Sequence, residues 1–81
     1  MSNLNWNQLE YFITLAEIQN YTKAASVLNI TQPALSRSIN NLEQSIGIPL
    51  FQKKGRGIEL NFYGHIFLQH LQLARDEIYK G

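Results

Sequence analysis

Between Leu28 and Pro33 the chain has only Asn29, Ile30, Thr31 and Gln32 in which to end one helix and begin another. Upstream, Lys23 to Leu28 reads as a short helix with Ala24, Ala25 and Leu28 on its apolar face. Thr22 is placed to cap it, because its hydroxyl accepts a backbone N–H of the next turn. Downstream, Thr31 is a second N-cap, and Pro33 falls in the first turn, where its missing N–H breaks no intrahelical bond. Leu35, Ile39, Leu42 and Ile46 then step by 4, 3 and 4 along one face. Pro33, Ser36, Arg37, Asn40 and Gln44 fall on the opposite, polar side. Two helices joined by so tight a turn must cross, and the two small alanines let another helix approach closely.

The remaining elements follow from the same punctuation. Leu9, Phe12, Ile13 and Ala16 share one face of a helix over Trp6 to Ile18, which predicts a single buried stripe. Gly47 supplies a left-handed stop and Pro49 prevents the third helix from resuming. Leu50 to Lys54 and Ile58 to Leu60 flank the basic turn Gly55, Arg56, Gly57 and read as a small hairpin. Asn61 is the expected N-cap of a last helix reaching toward Tyr79. Tyr63, Phe67, Leu71, Ala74 and Ile78 step by 4, 4, 3 and 4 along it, with Phe62, Ile66 and Leu73 as a second apolar edge. So wide a stripe exceeds what one small core covers, so part of it is expected to face a partner.

Length and composition bound the rest. Eighty-one residues hold one core and no second domain. At 44% hydrophobic and 16% charged the chain is too apolar and too balanced for disorder. With no cysteine, disulfides and cysteine-based zinc sites are excluded. No apolar run approaches the roughly 18 residues that span a bilayer, and the first basic residue is Lys23, so a soluble, unexported, cytoplasmic chain is expected. The net charge of +1 hides an asymmetry: residues 32–57 carry Arg37, Lys53, Lys54 and Arg56 against Glu43 alone, while both flanks are net negative.

Two short helices around a tight turn, the second with a polar face, followed by a basic hairpin, make a winged helix-turn-helix. The major groove of B-DNA, about 12 Å wide, admits one helix, whose exposed side chains must pair with base edges without acidic repulsion from phosphates. From Thr31 to Asn41 there is no acidic residue, and Gln32, Ser36, Arg37 and Asn40 are groove-reading types. Lys53, Lys54 and Arg56 put charge on a hairpin tip narrow enough for a minor groove. Catalysis has no support, since no histidine or acid is spaced to serve Ser36. Metal binding has none either: His65 and His70 are five apart and do not share a helix face. The alternative of another class is a winged-helix protein-interaction module, but such a face has no reason to exclude carboxylates.

The sequence resembles the amino-terminal domain of LysR-type transcriptional regulators. The likeness runs through Leu9, Phe12, Ala16, Ala24, Ala25 and Leu28, then Thr31, Gln32, Pro33, Ala34, Leu35 and Ser36. It continues through Ile39, Leu42, Glu43, Gly47, Leu50, Phe51, Arg56, Leu60 and Gly64, and covers essentially the whole chain. The ordered set at these spacings carries the likeness, not any one element.

The resemblance implies a mainly α fold: a three-helix core and hairpin wing over residues 1–60, then a linker helix for dimerisation over residues 61–81. It implies a bacterial transcription factor bound to double-stranded DNA with an inverted-repeat operator. Thr31, Gln32, Pro33, Ser36, Arg37 and Asn40 would contact DNA from the recognition helix, and Lys53, Lys54 and Arg56 from the wing. Tyr63, Phe67, Leu71, Ala74 and Ile78 would form the homodimer contact. No cofactor or metal is expected in this segment. A small-molecule effector would bind a further C-terminal domain, so the chain reads as an excised piece rather than a natural short form. Lys53 stands where the family more often has arginine, Asn61 where it has threonine, and Tyr63 where a small alanine precedes Gly64. Lys53 keeps its charge and Asn61 remains a good cap, whereas Tyr63 is expected to change how the last helix seats.

Overall fold

The computed structural model describes the backbone of residues 5–80 and the side chains of residues 5–76. In chain order the elements are α1 (Trp6–Ile18), α2 (Tyr21–Leu28), α3 (Gln32–Ile46), β1 (Phe51–Lys54), β2 (Gly57–Leu60) and α4 (Phe62–Lys80). This is the expected winged arrangement of three core helices, a hairpin and a terminal helix.

Each helix begins on a side-chain acceptor. Asn5 Oδ1 accepts from Gln8 N at 2.9 Å, Asn20 Oδ1 from Lys23 N at 2.8 Å, and Thr31 Oγ1 from Ala34 N at 3.2 Å. The second of these corrects the expected cap: Asn20, not Thr22, starts α2, two residues earlier. Asn20 holds the extended backbone that a cap requires (φ −153, ψ 121), and Thr22 lies exposed inside the first turn. Gln19 and Asn29 end α1 and α2 in the left-handed region at φ 63 and 59, and Gly47 ends α3 at φ 93.

The core is built around α1, and more of that helix is buried than one stripe. Phe12, Ile13, Leu15 and Ala16 are all buried, and so is Gln8. The reason is that α1 packs against α2 and α3 while its Phe12 ring also meets Phe51 of β1 and Phe67 of α4. The two ring contacts are edge-on, with centroids 5.4 and 5.1 Å apart. Ala24, Ala25, Leu35, Ile39, Leu42, Leu50 and Leu60 complete the core. Ile46 and Leu28, expected inside, are half-buried at its edge.

The strands are antiparallel, with Phe51 opposite Leu60, Gln52 opposite Glu59, Lys53 opposite Ile58 and Lys54 opposite Gly57. Pairing therefore begins at Phe51 rather than Leu50, and Gly57 belongs to the second strand. Leu50 is committed elsewhere. Its N–H donates to Glu43 Oε2 at 2.7 Å and its carbonyl accepts from Asn61 N at 2.9 Å. Asn61 Oδ1 accepts from Gly64 N at 2.8 Å, as a cap should, and its Nδ2 donates to Pro49 O at 2.9 Å. Gly64 sits so close to the Leu50 carbonyl that a Cβ there would overlap the oxygen. The start of α4 is thus clamped onto the segment that leaves α3.

The phase of α4 differs from the expected stripe. Gly64 is buried, and Phe67, Leu68 and Leu71 pack half-buried against the domain's own core. Tyr63 and Ala74 are exposed, together with Phe62, Ile66 and Leu73. The side chain of Ile78 lies outside the described residues.

Candidate nucleic-acid interface

Three residues, Asn29, Ile30 and Thr31, separate α2 from α3. Ile30 N donates to Ala25 O at 3.0 Å, folding the turn back on α2 while Thr31 starts the next helix. Leu35, Ile39 and Leu42 bury one side of α3 and turn the other outward. Thr31, Gln32, Pro33, Arg37 and Asn40 are exposed on that outer side and Ser36 is half-buried beside them. Thr31 is partly occupied as a cap, which leaves Gln32, Arg37 and Asn40 as the long polar groups. Arg37 also borders a polar groove between α1 and α3, lined by Asn5, Asn7, Tyr11, Ser38 and Asn41. Sequence periodicity did not single out Ser38 or Asn41, because nothing local says that the start of α1 runs beside them.

The acids near this surface are engaged internally. Glu43, the only acid in residues 32–57, is half-buried and accepts the Leu50 N–H. Glu59 faces the wing, where Gln52 Nε2 donates to its Oε2 at 2.9 Å and Lys54 Nζ lies 3.5 Å from its Oε1. Its carboxyl titrates below the usual range: the Gln52 hydrogen bond lowers it most, desolvation opposes that, and the Lys54 charge lowers it further. Lys53, Lys54 and Arg56 are all exposed. Lys54 is thus partly neutralised, while Lys53 and Arg56 have no ion-pair partner among the described residues. The sequence alone does not separate Lys53 from Lys54, since Glu59 counts as a distant acid until strand register sets it beside Gln52 and Lys54.

Among the described residues no three acidic or histidine side chains gather as a metal would need, and no helix is long and apolar enough to cross a membrane.

The comparisons with known proteins agree with this geometry. Residues 6–65 match the family described as "Bacterial regulatory helix-turn-helix protein, lysR family". The chain is 58% identical over 78 residues to YybE of Bacillus subtilis (strain 168), described as an uncharacterized HTH-type transcriptional regulator. The match covers 96% of this chain and 27% of that protein. It is 44% identical over 73 residues to the HTH-type transcriptional regulator AlsR of the same organism, covering 90% of this chain and 24% of AlsR. The chain thus spans about a quarter of the length of these relatives. Among solved structures, the BenM DNA-binding domain in complex with catB site 1 DNA superposes with a TM-score of 0.85 at 36% identity. That match covers 95% of this chain and 83% of the other. The fold, the placement of the polar helix and the family match converge, and the chain belongs to the lysR family of bacterial regulatory helix-turn-helix proteins.

Proposed function

We propose that this chain is the DNA-binding domain of a bacterial LysR-type transcriptional regulator, recognising a specific sequence in duplex DNA. In this reading α3 enters the major groove and the β1–β2 tip reaches an adjacent minor groove. The observation that carries it is the acid-free outer face of α3 beside a basic hairpin whose nearest carboxylates, Glu43 and Glu59, are held in internal bonds. A protein-interaction module of the same fold would have no need to keep acids off the outer face of α3, and the likeness to a domain solved on DNA also supports the nucleic-acid reading.

Four finer points belong to the same proposal. The exposed apolar face of α4 pairs with a second copy of the chain, giving a homodimer. Two-fold pairing requires an inverted-repeat operator with half-sites about one helical turn, or a multiple, apart. A small-molecule effector binds a C-terminal domain beyond this segment, as the fourfold length of the relatives allows. The regulator works in the bacterial cytoplasm, at the nucleoid.

The test is selection of duplexes from a random pool by the 81-residue chain, followed by binding titrations over a range of salt on the selected and a scrambled sequence. The expected result is an inverted-repeat consensus bound roughly 10³-fold or more tightly than the scrambled duplex, both weakening steeply with salt. Equal affinity for all sequences, or no binding at low salt, overturns the proposal.

A further inference from the structure

The wing is held to the rest of the domain at a second point besides its root. The root is Phe51, which meets Phe12 edge-on, and Leu60, buried opposite it. Farther along β2, Ile58 N donates to the carbonyl oxygen of Gln19 at 3.2 Å. Ile58 pairs with Lys53 in the ladder, so the N–H that reaches Gln19 points away from β1 and leaves the hairpin's own bonds intact. The acceptor is equally well determined. Its peptide plane joins Gln19, the left-handed residue that ends α1, to Asn20, the extended cap that starts α2, so the carbonyl cannot swing without changing the backbone angles of both caps.

Gly57 lies directly on that carbonyl. A Cβ at residue 57 would overlap the Gln19 oxygen, with the carbonyl carbon 3.6 Å away. The obstacle is backbone, so no rotamer change relieves it, and any side chain at 57 must lift the hairpin off the α1–α2 corner. Gly57 stands three residues from the root, about 10 Å along the strand, and is bonded to Arg56. A lift of even about 1 Å there is carried to the tip at least undiminished. Contacts of a charged group to phosphate are made within about 3 Å, so a shift of that size breaks them.

We infer that Gly57, through its seat on the Gln19 carbonyl, is a positioning residue that sets the angle between the wing and α3 and so brings Lys53 and Arg56 to the DNA. This rests on the DNA-binding reading above, and its failure is separable from that reading's.

The experiment compares the wild type, Gly57→Ala, the wing-neutral double Lys53→Ala/Arg56→Ala, and their combination, on the selected duplex over a salt series. Ellipticity and thermal melting report folding. Gly57→Ala is expected to keep its helix content and its sequence preference, yet to bind at least tenfold more weakly at low salt. Its log K against log salt slope should be shallower by one to two units, roughly one for each lost contact. In the Gly57→Ala background, the wing-neutral double should cost much less than in the wild type, because those cations no longer reach the duplex. A merely structural role for Gly57 lowers the melting temperature but leaves the slope and the cost of the wing double unchanged, which overturns the inference. Ile58→Pro removes the donor without adding a Cβ at 57 and should give the same slope. Should both variants unfold, the wild type decides by amide exchange. Protection of Ile58 N–H comparable to the ladder amides supports the seat, and exchange at the rate of an unstructured peptide removes it. A wild type that binds no duplex would fail the DNA reading itself, whereas binding without change in either variant fails only this inference.

Discussion

Phe67 of α4 meets Phe12 of α1 edge-on, ring centroids 5.1 Å apart and planes at 71°, and this contact, with the clamp of Gly64 on the Leu50 carbonyl, fixes which way the terminal helix faces. With Phe67 and Leu71 turned onto the core, the opposite side of the helix carries Phe62, Ile66 and Leu73. At 100° per residue these three fall within about 40° of one another and roughly 140° from the Phe67–Leu71 line. Tyr63 flanks them, with its ring edge-on to that of Phe62 at 5.4 Å. The apolar residues of α4 thus divide into a line packed on the domain's own core, Phe67 and Leu71, and an exposed line, Phe62, Ile66 and Leu73.

The division makes opposite expectations for neighbouring substitutions. Leu73→Asp, at a residue 64% exposed, should convert a dimer to a monomer with little change in melting temperature at matched subunit concentration, apart from the lost assembly. Leu71→Asp sets a carboxylate against the core at a half-buried position and should destabilise the fold itself by about 1–3 kcal/mol. Sedimentation and melting of both variants separate the two. A dimer that survives Leu73→Asp and Ile66→Asp together would place the interface elsewhere.

Much of the architecture was legible because it is written in local chemistry. The caps at Thr31 and Asn61, the stop at Gly47 and the 4, 3, 4 spacing of Leu35, Ile39, Leu42 and Ile46 need only neighbours within a turn. What escaped depended on distant partners. Asn20 and Thr22 are both competent caps, and the left-handed Gln19 before them, with Tyr21 packed on the core, favours the earlier start. On α4 the spacing favours the line through Phe67 and Leu71 as the partner face, and only the folded core, which packs that line, leaves Phe62, Ile66 and Leu73 exposed instead. Gln19 carries no chemistry of its own in the sequence, and only the folded wing gives its carbonyl a role. Within the proposed interface the polar face of α3 was readable, while the hydrogen bonds that hold Glu43 and Glu59 were not.

Asn61 makes use of both ends of its amide. Asn61→Asp keeps the cap acceptor for Gly64 N but sets a carboxylate oxygen against the Pro49 carbonyl in place of a donor. Losing that bond and adding the repulsion should cost about 1–3 kcal/mol, despite the benefit of a negative charge at a helix start. Urea melts of the two proteins test it: a variant as stable as the wild type would show the Pro49 bond to be idle.

Tyr21 gives the domain a defined alkaline limb. Its phenol is held above the ordinary value of 10.0, first by burial and then by the nearby negative charge of Glu43. The unfolded chain releases this proton near pH 10 while the folded chain retains it, so the folded state binds more protons in that window. The associated stability is complete below pH 10 and is lost as pH rises through the folded pKa. Tyr21→Phe should therefore lose less melting temperature than the wild type between pH 9 and pH 11. Parallel curves would show that ionisation of another group governs the limb.

On α3, Arg37 is exposed in the middle of the polar face. Arg37→Ala should weaken binding to the selected duplex by roughly 1–3 kcal/mol and relax the preference at one base position, as loss of a bidentate guanine contact does. Equal losses on selected and scrambled duplexes would reassign it to a phosphate.

The pairing on the wing ranks its cations. Lys54 lies 3.5 Å from Glu59, and an exposed pair of this kind adds little to stability, so its interest is electrostatic. A lysine already beside a carboxylate neutralises less of a phosphate's charge than one with no such neighbour. Lys54→Ala should therefore flatten the log K against log salt slope by clearly less than Lys53→Ala, for which the full effect of one contact is about 0.9 units. Conversely, Glu59→Gln keeps the size of the side chain opposite Gln52 but removes the negative charge, releasing Lys54 to the duplex. Affinity should rise on selected and scrambled sequences alike, the slope should steepen by a fraction of a unit, and base preference should stay the same, since no base-reading group has moved. If Lys54→Ala and Lys53→Ala flatten the slope equally and Glu59→Gln leaves it unchanged, the ion pair opens on DNA and does not tune the wing.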